Sequence, residues 1–125
     1  MLALDRLHGL RVVADPAALD AARWHGTHDV TVLRLAPDDA FAIGADAVDI
    51  DDEHAIIEQE AGFAGAWLPV KAIAHHLEWS LPPERPALAQ GAVAQVPARV
   101  WLPDDGDALL VTAAAYADEL AGRLR

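Results

Sequence analysis

The 125-residue chain has no cysteine and a single serine, Ser80. The lack of cysteine excludes disulfides, thiol nucleophiles, iron–sulfur clusters and cysteine-based zinc sites. Ser80 lies outside any nucleophile-elbow sequence, and the glycine-rich phosphate loops GxGxxG and GxxxxGK[ST] are absent as well. We therefore assign no catalytic residue and no cofactor from the sequence, and we expect no catalytic activity from the chain alone.

Basic residues are also scarce, since 9 Lys and Arg stand against 20 Asp and Glu, which gives a formal net charge of −11. Such a charge repels nucleic-acid phosphates and anionic lipids, so we expect binding to neither nucleic acid nor membrane. The first ten residues carry Asp5 and Arg6 within a short apolar run, which is typical of neither a signal peptide nor a membrane span. These features, with the lack of cysteine, predict a cytoplasmic protein that folds as one domain over residues 1–125.

Metal sites are poorly supported. The acidic loop at residues 44–53 lacks the glycine that a calcium-binding EF-hand loop needs at its sixth position. His75 and His76 are adjacent, so on a helix they point about 100° apart and cannot share one ion without other ligands. We expect a solvated loop, surface or interface histidines, and no metal.

Two β-hairpins and about three helices follow from turn residues and periodicity. Thr112 is a candidate N-cap for the last helix, and Glu119 and Arg123 have the spacing of an ion pair on it. This pattern predicts an α+β fold, an antiparallel sheet of hairpins with about three helices packed on it. The hairpins are predicted at 29–36 with 40–43 and at 99–102 with 108–111, and the helices at 16–25, 69–81 and 113–124.

The predicted helix at 69–81 has two contrasting faces. Its aliphatic stripe contains Val70, Ile73 and Leu77, which we expect to pack on the sheet. Tryptophan is enriched at the centres of protein interfaces, so an outward indole predicts a docking surface for a protein partner. The residues of this predicted docking surface are Ala72, His75, His76 and Trp79.

A possible pocket is predicted along the segment 54–68, which reads as one strand broken by glycine or as two strands. Glu58 and Glu60 are two residues apart, so in a strand they share a face and could form an acid/base pair. Phe63 and Trp67 would add an aromatic wall to this pocket. The alternative is that the two carboxylates mark a solvent-facing side of the sheet.

The run from Arg85 to Leu124 resembles the C-terminal part of the gamma subunit of heterotetrameric sarcosine oxidase, a relative of the folate-binding domains of aminomethyltransferases. The shared features are Ala-Gln-Gly before a strand, Val-Pro at a strand junction, an aspartate-glycine hairpin, and Leu-Leu-Val-Thr leading to a final helix with Tyr116. The segment 33–44 has a similar hairpin pattern. The resemblance implies a ferredoxin-like, folate-binding-domain-like core and a non-catalytic subunit whose larger companion chains carry the flavin and folate chemistry. It carries over no cofactor-binding residue, because the segment 58–68 departs from the family pattern.

Three functions follow as hypotheses. The leading one is an accessory or structural subunit that docks onto a larger oxidoreductase chain, in a hetero- or homo-oligomer. The second is a folate or one-carbon binding protein or small enzyme that uses the pocket of Glu58, Glu60, Phe63 and Trp67. The third is an acidic inhibitor-type protein that masks a basic surface.

Overall fold

The structure is a computed structural model that describes residues 2–125, which divide into two compact units. The amino-terminal unit is Leu7–Ala61, and the carboxy-terminal unit joins the residues up to Arg6 with Gly62–Arg125. Strands hold 48% of the described residues and helices 17%, which makes the fold β-rich. The predicted α+β class with a ferredoxin-like, folate-binding-domain-like core is therefore wrong, whereas the single domain stays a prediction.

Nine strands and three short helices are present among the described residues. Strand β6 is the longest, and it runs from the amino-terminal unit into the carboxy-terminal unit. The elements are β1 (Asp5–Val13), α1 (Pro16–Ala21), β2 (Arg23–His25), β3 (Thr31–Ala36), β4 (Asp39–Ile43), β5 (Ala47–Asp49), β6 (Ile56–Leu68), α2 (Val70–Ala74), β7 (Ala87–Val93), β8 (Val96–Leu102), β9 (Ala108–Ala113) and α3 (Ala117–Arg123), with a 3₁₀ turn at Ala114–Tyr116.

The amino-terminal unit is built on strands in the order β3-β4-β1-β6, with β2 and β5 forming a separate small ladder. The hairpin of β3 and β4 confirms the first predicted hairpin, with Leu33 opposite Phe41. Alternate residues of β1 and β4 pack with α1 in one apolar cluster, because successive side chains of a strand point to opposite faces. This cluster includes Leu10, Val12, Leu19, Ala40 and Ala42.

Helix α1 ends four residues before the predicted boundary. Ala22 has an extended backbone, with φ −64° and ψ 145°, and the next residues form β2. In β2, Trp24 pairs with Val48 of β5. The backbone groups of residues 23–25 are thus used in a ladder, which competes with continuation of the helix.

The carboxy-terminal unit has the strand order β6-β9-β8-β7, with antiparallel pairing throughout. Strands β8 and β9 confirm the second predicted hairpin. Val96, Ala98, Val100 and Leu102 alternate along β8 and are all buried. They belong to a cluster that also contains Ile73 of α2 and Leu120 of α3, so both helices pack against this face of the sheet.

Helix α2 covers only five residues of the predicted thirteen. Beyond His76, the apolar side chains recur at every second position, at Leu77, Trp79 and Leu81, and all three pack against the buried cluster. A period of two suits an extended segment and not a helix. Proline at 82 also disfavours a helical backbone at Leu81.

The predicted last helix also starts later than expected. Thr112 is not an N-cap: it lies in β9, is buried, and donates a hydrogen bond of 2.8 Å through Oγ1 to the carbonyl oxygen of Pro97. Its backbone pairs with Ala64 of β6. The predicted ion pair on α3 is confirmed, with 2.8 Å between Arg123 Nη2 and Glu119 Oε1.

Candidate functional site

Three of the four predicted docking residues lie together in the carboxy-terminal unit. Ala72, His75 and His76 line a groove of about 670 Å³ beside α2. Lys71 is the other polar residue of this groove, so its polar groups are all basic types. Its apolar walls are Leu2, Leu68, Pro69 and Leu124; we refer to it as the α2 groove.

Trp79, the fourth predicted docking residue, lies elsewhere because α2 ends before it. Its Nε1 donates a hydrogen bond of 2.8 Å to the carbonyl oxygen of Ala92 in β7. A Cβ atom on Gly91 would lie 2.7 Å from the Trp79 ring, so the ring rests directly on the backbone of β7. Trp79 is thus half-buried against its own sheet, and the predicted outward position on a helix is wrong.

A tight turn lies next to Trp79, between β7 and β8. Its two residues, Ala94 and Gln95, have φ angles of 49° and 69°. The left-handed backbone conformation is unfavourable for residues that carry a Cβ, and such residues adopt it where surrounding contacts stabilise it. Here the Ala94 N–H donates to the His76 carbonyl at 3.1 Å, and Arg123 Nη1 donates to Ala94 O at 3.2 Å and to Gln95 Oε1 at 3.1 Å.

The two predicted pocket carboxylates differ in their surroundings. Glu58 is exposed, whereas Glu60 accepts a hydrogen bond of 2.8 Å from Arg11 Nη1. Arg11 also binds both carboxylate oxygens of Asp39, through Nε at 2.6 Å and Nη2 at 2.7 Å. The hydrogen bond with Asp39 is the main reason that the pKa of Arg11 is raised, with Glu60 adding to it against the opposing effect of burial. Glu60 is therefore part of an ion-pair network within the amino-terminal unit.

Phe63 and Trp67, the aromatic residues of the predicted pocket, belong to the carboxy-terminal unit. Phe63 lines a cavity of about 340 Å³, to which β7, β8 and β9 also contribute. Trp67 is 50% exposed and pairs with Leu109 of β9. Leu109 in turn pairs with Trp101, and Trp101 with Leu88, so these four residues form one row across the strands.

The cavity that Phe63 lines contains Arg99, a residue that the sequence analysis did not select. We call it the Arg99 cavity. Arg99 pairs with Gln90 of β7 and with Val111 of β9, and all three line the cavity together with Tyr116. The signal was present in the alternation of β8, where Pro97, Arg99 and Trp101 fall on the face opposite the buried Val100.

The acidic loop forms hydrogen bonds with other segments of the amino-terminal unit. His25 Nε2 lies 2.8 Å from Asp49 Oδ2, and this hydrogen bond lowers the pKa of Asp49. Asp52 accepts 2.9 Å hydrogen bonds from the backbone N–H groups of Asp15 and His54, which lower the pKa of Asp52. No group of three or more His, Asp or Glu side chains within residues 2–125 is arranged to hold a metal ion. Over the same residues, no helix has the length and apolar character to cross a bilayer.

Comparison of the chain with protein families, with curated proteins and with solved structures finds no match in any of the three. The resemblance of residues 85–124 to the sarcosine oxidase gamma subunit therefore stays a prediction.

Proposed function

We propose that this chain is a non-catalytic accessory subunit that binds a larger protein chain through the α2 groove. One observation carries the proposal: Ala72, His75 and His76, which were selected as docking residues, line one apolar groove with Leu2 and Leu124. Apolar grooves rimmed by a few polar groups are typical of surfaces that bind other proteins.

The composition of the groove indicates what part of a partner fits it. Its walls are aliphatic, and its polar groups are Lys71, His75 and His76. These are basic types in a chain whose net charge is −11, so the groove differs in charge from the chain as a whole. An apolar side chain flanked by a carboxylate would complement both its walls and its rim.

The resemblance of Arg85–Leu124 to the sarcosine oxidase gamma subunit supports an oxidoreductase as the partner. We do not extend it to folate binding, because that hypothesis used the pocket carboxylates Glu58 and Glu60, of which Glu58 is exposed and Glu60 is paired with Arg11.

The test is isolation of the tagged chain from its native host, followed by size-exclusion chromatography with light scattering and flavin absorbance. We expect the wild-type chain to elute in a complex of fixed stoichiometry with a larger, flavin-containing chain. Ala72→Glu places a carboxylate beside the basic rim of the groove, where it would repel the partner's carboxylate and fill the apolar space, so it should release the partner at least tenfold more readily.

Ala115→Glu is the matched control, because Ala115 is an exposed alanine of the same unit that does not line the groove. It should leave the complex intact. A wild-type chain that elutes alone, or an Ala72→Glu chain that keeps its partner as well as the control does, would contradict the proposal.

A further inference from the structure

Arg99 is a partly buried cation that has no partner in the part of the chain that the structure describes. Its guanidinium forms no hydrogen bond or ion pair with any residue in the range 2–125, and Arg125 and Lys71, which also lack partners there, are exposed. By contrast, Arg123 is paired with Glu119, and Arg11 with two carboxylates. Arginine side chains that leave water are usually paired, since partial burial of a charge without a counter-ion costs free energy.

The surroundings of Arg99 are mainly apolar. Phe63, Pro97 and Val111 line the Arg99 cavity, and Val111 is directly opposite Arg99 in the ladder. Gln90 is the cross-strand neighbour on the other side, and Tyr116, 43% exposed, lies at the 3₁₀ turn that follows β9. The cavity therefore combines apolar walls with one guanidinium, one amide, one phenol and the hydroxyl of Thr112, which is engaged with the Pro97 carbonyl.

These groups match one class of ligand. A guanidinium binds a carboxylate through two parallel hydrogen bonds, which is the geometry that distinguishes arginine from lysine. The volume of about 340 Å³ lies within the range of small-molecule sites. A single cation within apolar walls favours a monoanion with an apolar body over a highly charged phosphate ester.

We propose that the Arg99 cavity binds a small organic carboxylate. The carboxylate pairs with the Arg99 guanidinium, the apolar body packs on Phe63 and Val111, and Gln90 and Tyr116 supply further hydrogen bonds. This site is separate from the α2 groove, and the proposal does not depend on the accessory-subunit function.

The first experiment is an NMR titration of the ¹⁵N-labelled full chain with benzoate and, separately, with benzamide. Benzamide has the same shape without the charge, so it should bind about 10- to 100-fold more weakly, as expected for loss of a hydrogen-bonded charge pair. Benzoate should shift the Nε–Hε resonance of Arg99 and the side-chain amide of Gln90. Equal affinity for the two compounds, or benzoate shifts confined to other residues, would overturn the proposal.

The second experiment compares Arg99→Gln with Arg125→Gln, which makes the same change in net charge at an exposed position of the same unit. We expect Arg99→Gln to weaken benzoate binding by about 10- to 100-fold and Arg125→Gln to leave it unchanged. The amide spectrum of each variant reports whether it is folded, and if Arg99→Gln is not, the wild-type titration decides alone. Benzoate binding by a folded Arg99→Gln chain with wild-type affinity would overturn the assignment.

Discussion

The indole nitrogen of Trp79 donates a 2.8 Å hydrogen bond to the carbonyl oxygen of Ala92. Ala92 is opposite Pro97 in the ladder, one pair beyond the Val93–Val96 pair that closes the turn, so its carbonyl points away from β8. In this unit β7 ends the strand order, so the Ala92 carbonyl has no further strand to pair with. The indole thus takes the place of a neighbouring strand, and it reaches the carbonyl because residue 91 is glycine.

Substitution of Gly91 tests this contact. A Cβ at this position would lie 2.7 Å from the indole of Trp79, so Gly91→Ala should displace the ring and destabilise the fold by about 1–3 kcal/mol. Gly122→Ala is the matched control, since no atom lies within 4 Å of a Cβ built there and alanine is the better helix former. It should stabilise by about 0.5–1 kcal/mol. Urea denaturation measures both, and equal effects would show that the ring does not rest on residue 91.

The turn at Ala94 and Gln95 provides a second prediction. Ala94 has a φ of 49°, a conformation that costs residues with a Cβ roughly 1–2 kcal/mol. Ala94 takes part in its hydrogen bonds only through its backbone N–H and C=O groups, so Ala94→Gly keeps these bonds. Glycine also has greater entropy in the unfolded chain, which offsets part of this relief. We therefore expect the free energy of unfolding to rise by about 0.5–1 kcal/mol, as measured by thermal or urea unfolding. Ala115→Gly, outside the left-handed region, should instead destabilise; a loss at both positions would contradict the turn geometry.

The ion-pair network of Arg11, Asp39 and Glu60 provides a third prediction. Arg11→Met keeps the length of the side chain but leaves two partly buried carboxylates without this donor. We expect a loss of about 2 kcal/mol, below the cost of breaking a fully buried pair because the three side chains retain some exposure. Arg23→Met is the control, since the Arg23 side chain is 80% exposed and its contact with Asp49 is 3.9 Å long. A similar cost for both variants in urea unfolding would count against a stabilising network.

Asp52 provides a prediction on pH. Two backbone N–H groups hold the pKa of Asp52 below its usual value, so the ionised form stabilises the folded chain. This stabilisation is complete above the unfolded pKa of about 3.9 and is lost as the pH falls through the lower, folded pKa. Asp52→Ala should therefore lower the melting temperature at neutral pH, and the difference from wild type should shrink below pH of about 3.9. Asp51→Ala, at an exposed neighbour, is the control for removal of one carboxylate; a difference for Asp52→Ala that stays constant with pH would refute the role of its charge.

Both hairpins were predictable because their turn chemistry is local. Pro37, Asp38 and Gly106 are residues that specify reversal of the chain over a few positions. The true end of α2 was not predictable, because Leu77 and Leu81 fit a helical period as well as an extended one. Packing against the sheet decided between the two.

One of the two candidate sites was predictable from local sequence, and the other was not. Ala72, His75 and His76 were found because the short helix α2 and the turn after it keep them together. Arg99 was missed because its environment depends on strand register, which brings Gln90 and Val111 beside it from other strands. A single strand read alone shows only alternation, and it does not show which residues lie across the ladder.

The pairing of β6 with β9 sets the order in which the chain can assemble during synthesis. Phe63 faces Ala113 and Leu68 faces Ala108, so each pair joins positions at least 40 residues apart. During synthesis, the β9 residues are added at least 40 residues after the β6 residues with which they pair. The half-exposed Trp67 lies in this part of β6, and its pairing with Leu109 closes a loop of about 40 residues, so we expect this pairing to be a slow step of folding.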